Sequence, residues 1–288
     1  MEIQQLDHLT LHNRFFQLDV LTQAGPRISA LIPAGTHQNL LAKLDDSSWD
    51  SPYGRYLPLG GHRLWSSPEI PEITYFPELS GAHAEVTANG ARLWRQDHGA
   101  AEYERTIEIA LDAEVPRMQL VHSLRNLAAA PLKTAPWTIS MLPMGSRVRL
   151  PLSNTNFSDN VFLPNRAIAF WPYDDLHDPR YRIENDFVEL QSDPTLDPFK
   201  IGVYSMRGWA AAQIEGWLLV KHFEVCKPNS EVDFGANIEA YTNQDFVEFE
   251  LLGEMRNLKQ GEFVHQKETW EVIRGNLDDL DSNGHLLK

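Results

Sequence analysis

The chain has 288 residues, of which 42% are hydrophobic, and a formal net charge of −15 from 40 acidic and 25 basic residues. This composition is typical of a globular protein with a sizeable core. The acidic balance argues against nucleic acid or an anionic membrane as a partner, because both attract basic surfaces.

The N-terminal segment MEIQQLDHLTLHNRFF lacks the basic and apolar regions of a signal peptide. No apolar run approaches the ~18 residues that a membrane-spanning helix needs. The single cysteine, Cys226, excludes an internal disulfide and fits a reducing compartment. We therefore expect a cytoplasmic protein.

Alternating apolar and polar residues, interrupted by Gly, Pro, Asn and Asp, recur along the chain and predict β-strands. The predicted strands are 15–21, 28–32, 84–88, 91–96, 101–111, 117–126, 137–142, 200–204, 209–214, 217–222, 231–241, 246–252 and 262–273. Residues 143–186 are rich in Pro, Asn and Asp and predict a long loop over one end of the fold. The pattern favours an all-β protein, one large antiparallel β-sandwich domain over residues 1–288 with a frayed tail at 277–288.

The segment 58–69, PLGGHRLWSSPE, places two glycines directly before several reactive side chains. Glycine allows a sharp bend or a close approach of two backbones. The side chains that follow are those of His62, Arg63, Trp65 and Glu69. The segment is typical of a loop that lines a concave surface, and the alternative is a surface loop whose tryptophan fills the core.

Two carboxylates share one face of the strand predicted at 246–252. In this strand Glu248 and Glu250 alternate with apolar residues. They form either a solvated surface or, on a concave face, a pair in which each carboxylate raises the pKa of the other. In the second case one of them becomes a usable general base.

Trp137 begins a strand, where it is either a core residue or a ring at the edge of a cleft, a position in which sugar-binding sites use aromatic platforms. Lys200 and Lys221 lie in or beside apolar strands. We favour the interpretation that they protect sheet edges, and the alternative is a cation aimed at a ligand.

Sequence motifs for phosphate loops, GxSxG nucleophiles, HExxH zinc sites and CxxC pairs are missing. His8 and His12 share a strand face but are too far apart to suggest a metal site. We therefore expect no cofactor and no metal. The functions that remain are acid–base catalysis and the binding of a ligand without catalysis.

Three segments together resemble the galactose mutarotase-like (aldose 1-epimerase-like) superfamily: QLDVLTQAGPRISALI, GGHRLWSSPE and EFELLGEMRNLKQGEFVHQKETW. Within it, they are most similar to a bacterial branch with a GG-x-R-x-W-x-x-PE signature (the DUF4380 type). The resemblance spans nearly the whole chain. It implies a large antiparallel supersandwich, a sugar cleft on one concave face, and a small-molecule sugar or sugar acid as partner.

The resemblance also implies roles for particular residues. Aldose epimerases use a glutamate near the C-terminus as the base and a histidine as the acid, and these match Glu250 and His62. The residues that we expect to bind substrate are Arg63, Trp65, Glu69, Trp137, Lys200 and Glu248.

The second histidine of the epimerases is missing, because the segment where it is expected reads APWTISMLPMG. A proton donor would then come from elsewhere, and the alternatives are Lys200, Lys221, Tyr241 and His222. The sequence thus favours a sugar 1-epimerase. The alternatives are a non-catalytic carbohydrate-binding or sensing protein, and a lyase or isomerase that acts on an acidic sugar.

Overall fold

The computed structural model of the protein describes residues 6–153, 166–226 and 230–287. Its strands are β1 (His8–His12), β2 (Phe16–Leu21), β3 (Arg27–Pro33), β4 (Lys43–Leu44), β5 (Trp49–Ser51), β6 (Gly54–Tyr56), β7 (Leu59–Gly60), β8 (His62–Ser67), β9 (Ala82–Thr87), β10 (Gly90–His98), β11 (Glu102–Leu111), β12 (Arg117–Asn126), β13 (Leu132–Leu142), β14 (Arg147–Pro151), β15 (Ile168–Phe170), β16 (Tyr181–Ile183), β17 (Phe187–Gln191), β18 (Phe199–Val203), β19 (Trp209–Ile214), β20 (Trp217–Phe223), β21 (Ile238–Thr242), β22 (Val247–Leu252), β23 (Arg256–Leu258) and β24 (Phe263–Arg274). The helical segments are α1 (Pro71–Thr74) and two 3₁₀-helices, Asp233–Gly235 and Leu277–Asp279. Among the described residues, none of these helices is long and apolar enough to cross a membrane.

Most strands belong to two large antiparallel sheets. The first sheet has the order β1-β2-β3-β8-β13-β22-β21-β18-β15, with β23 paired to β13. The second has the order β16-β17-β14-β19-β20-β24-β12-β11-β10-β9. The pairs β4–β7 and β5–β6 stand apart from both sheets. Apolar side chains of the two large sheets form a shared core, so the predicted antiparallel β-sandwich is confirmed.

Alternation of buried and exposed residues explains why these segments form strands. In β12 and β24 every second side chain is buried, as expected when one face covers a core and the other meets solvent. The central strands β8 and β22 differ, because all their residues are buried. Their inward faces meet the second sheet, and their outward faces form the floor of a cavity.

Several parts of the chain differ from the prediction. The segment 58–69, expected to be a loop, contains β8, and of the strand predicted at 231–241 residues 233–235 form a 3₁₀-helix and only the end belongs to β21. The predicted long loop at 143–186 contains the strands β14, β15 and β16, and its residues 154–165 lie outside the described residues. The segment from 277 to 287 is not frayed, because Leu277 and Leu280 pack against Trp209 and Leu218 on the outer face of the second sheet. Hydrogen bonds add to this anchor, because Arg149 donates to the Leu277 carbonyl at 2.7 Å and the Trp209 indole donates to the Ser282 carbonyl at 3.0 Å.

The glycine pair before β8 allows three parts of the first sheet to meet. Gly60 and Gly61 have φ angles of 77° and 74°, which other residues rarely adopt. A Cβ atom on either residue would collide with a backbone carbonyl, that of Ala42 or that of Ile28. The Gly61 amide donates to the Ala42 carbonyl at 2.8 Å, and its own carbonyl accepts from the Met141 amide at 2.8 Å. The turn therefore sets the start of β8 between β3 and β13.

A buried ion network joins the two sheets at one side of β8. The Glu78 carboxylate, in the segment after α1, pairs with Arg27 of the first sheet and Arg105 of the second. Arg105 also pairs with Asp97 at 2.6 Å. All four side chains are almost completely buried. Because Glu78 also accepts a hydrogen bond from the Trp65 indole at 3.2 Å, the network reaches the floor of the cavity.

Candidate functional site

A cleft of about 770 Å³ opens on the outer face of the first sheet. Its walls are mainly aromatic and charged, and its volume suits a small-molecule ligand. The lining residues are Trp49, Arg63, Trp65, Glu69, Tyr75, Trp137, Trp171, Tyr173, Asp197, Pro198, Lys200, Tyr241, Asn243, Phe246 and Glu248. Six of the residues predicted to bind substrate are among them, namely Arg63, Trp65, Glu69, Trp137, Lys200 and Glu248.

Strand register brings distant parts of the chain together on this floor. Trp65 of β8 lies opposite Trp137 of β13. Further along the sheet, Glu248 of β22 lies opposite Tyr241 of β21, and Tyr241 lies opposite Lys200 of β18. Facing residues of neighbouring strands point to the same side of a sheet. The register therefore builds a continuous floor of rings and charges from residues that are far apart in sequence.

Glu248 is the carboxylate of β22 that reaches the cleft. Its Oε1 atom accepts a hydrogen bond from Arg63 Nη2 at 2.8 Å, and the Arg63 guanidinium lies 3.7 Å from the centre of the Trp65 ring. Burial raises the pKa of Glu248 to about 7, although Arg63 opposes the shift. Glu248 is 9% exposed. It can therefore take up or release a proton near neutral pH while facing a ligand.

Lys200 supplies a cation to the same floor of the cleft, two strands away from Glu248. Its Nζ atom lies 2.7 Å from Glu239 and 2.9 Å from Glu250, and 4.8 Å from the Trp137 and Trp171 rings. Although burial works against the charged ammonium, the two carboxylates raise the pKa of Lys200 well above its usual value. Burial raises the pKa of Glu239 to about 8, and the neighbouring Glu250 carboxylate adds to this shift although Lys200 opposes it.

Glu250, the predicted base, lies under the floor of the cleft. It is fully buried, and its Oε2 atom accepts hydrogen bonds from the Trp137 indole at 2.6 Å and from Lys200 at 2.9 Å. Both donors line the cleft and separate Glu250 from it. Its contacts hold Trp137 and Lys200 in place.

His62, the predicted acid, does not lie at the cleft, and this expectation is corrected. Successive side chains of a strand point to opposite faces, so the orientation of Arg63 toward the cleft turns His62 into the core. The His62 ring is fully buried, with Nδ1 2.9 Å from Ser140 Oγ and Nε2 2.8 Å from His122 Nε2. A ring in this position cannot reach a ligand in the cleft.

His62 belongs to a buried polar cluster between the sheets. Its neighbour His122 lies 3.5 Å from the Glu268 carboxylate. Glu268 accepts hydrogen bonds from Thr138 at 2.6 Å and from the Trp270 indole at 2.7 Å. Burial lowers the pKa of both histidines below its usual value, so both are neutral in the folded protein at neutral pH.

Acidification from pH 7 to pH 5 is expected to remove the part of the stability that depends on the neutral pair His62 and His122. Both gain protons in the unfolded chain near pH 6.5 but resist them in the folded state, so this contribution falls as pH falls below 6.5. Its largest slope is about 1.4 kcal/mol per pH unit for each histidine. The buried carboxyls of Glu239 and Glu248 have raised pKa values and act in the opposite direction, so the test compares wild type with His62→Gln. In urea unfolding the difference in stability between the two proteins should shrink from pH 7 to pH 5, and a difference that stays constant would contradict the expectation.

The structure separates the four alternatives for a proton donor. Lys200 and Tyr241 line the cleft, whereas Lys221 is fully buried between the sheets and His222 lies on the second sheet.

Lys200 and Lys221 do not protect sheet edges, because β18 and β20 each have a neighbouring strand on both sides. The favoured interpretation of both lysines is therefore wrong, and for Lys200 the alternative of a cation at a ligand site agrees with its position.

Several lining residues were not found from the sequence. They are Trp49, Tyr75, Trp171, Tyr173, Asp197, Pro198, Asn243 and Phe246, in addition to the buried Glu239 beneath them. Most come from loops, where no periodic pattern marks a direction. One usable signal was the loop predicted at 143–186, which supplies Trp171 and Tyr173 to the cleft.

Comparison with solved structures identifies the fold. The chain is similar to a galactose mutarotase-like protein from Lactobacillus casei (9% identity, 93% of this chain and 100% of that chain, TM-score 0.58). It is also similar to a candidate aldose 1-epimerase from Escherichia coli K12 (14% identity, 93% and 99%, TM-score 0.55) and a galactose mutarotase related enzyme from Lactobacillus acidophilus (9% identity, 93% and 97%, TM-score 0.51). No protein-family model and no curated protein matches the sequence. The chain thus has the galactose mutarotase-like fold, and the narrower bacterial branch stays a prediction.

Proposed function

We propose that the protein binds a neutral sugar in the cleft and interconverts its α and β anomers. The observation that carries this proposal is Glu248, a carboxylate whose pKa of about 7 suits a general base and which lies on the same floor of the cleft as the Lys200 ammonium. Solved structures of the same fold include a galactose mutarotase-like protein and a galactose mutarotase related enzyme, which supports a sugar as the ligand.

The aromatic walls support a pyranose as the ligand. Trp65 and Trp137 pack edge to face with ring centres 5.4 Å apart, and Tyr75 packs against Trp65 at 5.6 Å. Rings fixed in this way offer flat apolar surfaces to the C–H faces of a sugar at little cost in conformational entropy. The charged groups between them are placed to bind hydroxyl groups.

In the proposed reaction, Glu248 takes the proton of the anomeric hydroxyl. The C1–O1 bond becomes a carbonyl, the bond between C1 and the ring oxygen breaks, and the ring oxygen, held by a hydrogen bond from the Lys200 ammonium, receives this proton from Glu248. Rotation about the C1–C2 bond and the reverse steps give the other anomer and restore the Glu248 carboxylate. Two donors of Lys200 are occupied by Glu239 and Glu250, and the third is left to serve the substrate. Glu250 acts as a positioning residue for Lys200.

The charges of the cleft favour neutral over acidic sugars. Its lining contains the cations of Arg63 and Lys200 and the carboxylates of Glu69, Asp197 and Glu248. Arg63 is already paired with Glu248, and Lys200 is paired with two buried carboxylates. The positive charge of each lining cation is thus already balanced by a carboxylate, and the described lining residues carry more carboxylates than cations, so an acidic sugar would meet net repulsion.

Proton NMR of freshly dissolved α-sugars tests the proposal. With the protein present, α-D-glucose or α-D-galactose should reach anomeric equilibrium faster than in buffer alone, and the matched uronic acids should be accelerated at least about tenfold less. The heat-denatured protein serves as the control for buffer catalysis. Equal rates with and without folded protein across a broad panel of neutral sugars would reject the epimerase, and faster turnover of uronic acids would reject the charge argument.

A second candidate function is sugar binding without catalysis. It is favoured by one observation: among the described residues, the lining of the cleft contains no histidine. Calorimetry separates the two functions. Saturable binding of a sugar that weakens in Arg63→Ala, combined with unchanged anomerisation rates, would support a binding or sensing protein.

A further inference from the structure

A second cluster of reactive side chains lies on the other large sheet. His222 of β20, Glu271 of β24 and His285 each offer one nitrogen or oxygen atom, and these three atoms lie within 4.8 Å of one another. The cluster is formed at the place where the segment after β24 folds back over the outer face of the second sheet. The cleft lies on the outer face of the first sheet, so this cluster is separate from it.

Strand register explains how two of the three residues come together. His222 lies opposite Thr269 across the β20–β24 pair, and Glu271 is two residues further along β24. Residues two apart on a strand share a face, so His222 and Glu271 are diagonal neighbours on the outer face. Both side chains are partly buried.

The third residue is brought by the C-terminal segment. Leu277 and Leu280 anchor this segment in the apolar cluster on the outer face. A tight turn then fixes His285, whose amide donates to Asp281 Oδ1 at 2.9 Å and whose carbonyl accepts from the Asp281 amide at 2.8 Å. The His285 ring stacks on the His222 ring, with centres 5.2 Å apart and planes at 23°.

One atom of this cluster lacks a hydrogen-bond partner. The Nε2 atom of His222 is buried, and no group among the described residues bonds to it. Buried polar atoms in folded proteins are nearly always satisfied. Glu271 provides a carboxylate beside it, and its oxygens accept hydrogen bonds from the exposed Arg117 at 3.2 and 3.4 Å.

We propose that His222, Glu271 and His285 form a binding site for a divalent cation of the zinc type, which fastens the C-terminal segment to the second sheet. Two imidazoles and one carboxylate are ligands that Zn²⁺ commonly takes, with a fourth position left for water. Bound metal would satisfy His222 Nε2 and replace the contact between Arg117 and Glu271. Because one ligand comes from the segment and two come from the sheet, metal binding would hold the segment down.

The test uses the full-length protein without a histidine tag, stripped of metal with a chelator. Calorimetry with Zn²⁺ should show one site per chain, and Co²⁺ should give the visible absorption of a four-coordinate N/O site. His285→Ala should weaken Zn²⁺ binding at least about tenfold, as loss of a metal-site residue commonly does. Since His285 is exposed, this variant should fold normally.

A matched control is His265→Ala, which removes another exposed histidine, located on β24 outside the cluster. It should leave the affinity for Zn²⁺ unchanged. In the wild type, Zn²⁺ should also raise Tm, and this rise should disappear in His285→Ala. The proposal is overturned if the wild type shows no saturable Zn²⁺ binding, or if His285→Ala and Glu271→Gln bind Zn²⁺ as tightly as the wild type.

Discussion

A Glu248→Gln variant is expected to lose about 10²–10⁴-fold of the catalysed anomerisation rate, the usual worth of a general base. The amide is nearly the same size as the carboxylate and can still hydrogen-bond to neighbouring groups, but it cannot take the anomeric proton. NMR rates for wild type and variant on the same neutral sugar measure the loss. Glu72→Gln, an exposed change in α1, is the matched control and should retain the wild-type rate.

Glu250→Gln separates the two carboxylates of β22. If Glu248 is the base, the Glu250 variant should lose activity only through weaker positioning of Lys200, so its rate should fall less than that of Glu248→Gln. Nearly complete loss in Glu250→Gln together with an active Glu248→Gln would show that Glu250 is the base and would contradict the proposal.

The pH dependence follows from the same group. Burial raises the pKa of Glu248 to about 7, so the carboxylate is protonated and inactive as a base below that value. The value of kcat/KM should therefore rise through pH 7 and fall about tenfold per unit on the acidic side. A rate that stays constant between pH 5 and pH 8 would contradict the assignment.

Replacing Glu78 with Ala is expected to lower the free energy of unfolding by about 3–5 kcal/mol. The change removes the carboxylate partner of Arg27 and one of the two carboxylate partners of Arg105. Both arginines are buried, so solvent cannot replace the lost carboxylate. Unpaired buried charge is among the most destabilising defects in a protein core. Urea unfolding measures the loss, and Glu72→Ala should change stability by less than about 0.5 kcal/mol because Glu72 is exposed.

The effect of acid on Glu78 has a definite sign. Although burial alone would raise the pKa of Glu78, Arg105 and Arg27 hold it well below its usual range. Its contribution to stability is therefore complete above the pKa of the unfolded chain and is lost as pH falls toward the folded value. A Glu78→Ala protein as stable as the wild type at pH 7 would show that the network does not join the sheets energetically.

The fold was predictable from local pattern because strands with one face on the core and one face in solvent alternate clearly. In β12 and β24 exposed and buried residues alternate along the strand, so the sequence alone predicts that these segments are strands and how long they are. The resemblance to the mutarotase-like superfamily then implied how the strands are arranged. This part of the prediction is confirmed by the two large antiparallel sheets.

The candidate site was only partly predictable, because the central strands do not alternate. His62, Arg63, Leu64 and Trp65 of β8 are all buried, and no composition signal says which of them face the cleft and which face the core. Since polar side chains of this strand lie in the core, the rule that polar residues face away from the core does not give the orientation of the strand. The histidine was therefore assigned to the cleft although the arginine beside it occupies that position.

Partners that meet only through the tertiary fold were also missed. Glu239 joins Lys200 across β21 and β18, and His122 joins His62 across the space between the sheets. The residues of each pair are tens of positions apart in sequence, and no local motif links them. Their juxtaposition depends on register and sheet packing, which a single sequence does not reveal.

The alternation in β8 limits how this protein can change in length. Gain or loss of one residue between Gly61 and Trp65 would reverse which side chains of β8 face the core and which face the cleft. The Arg63 guanidinium would then point between the sheets and the His62 imidazole would point into the cleft. Insertions and deletions here are tolerable only in multiples of two, whereas point changes can be absorbed one at a time. New specificities in this scaffold should therefore arise by substitution along β8 and by lengthening of the surrounding loops.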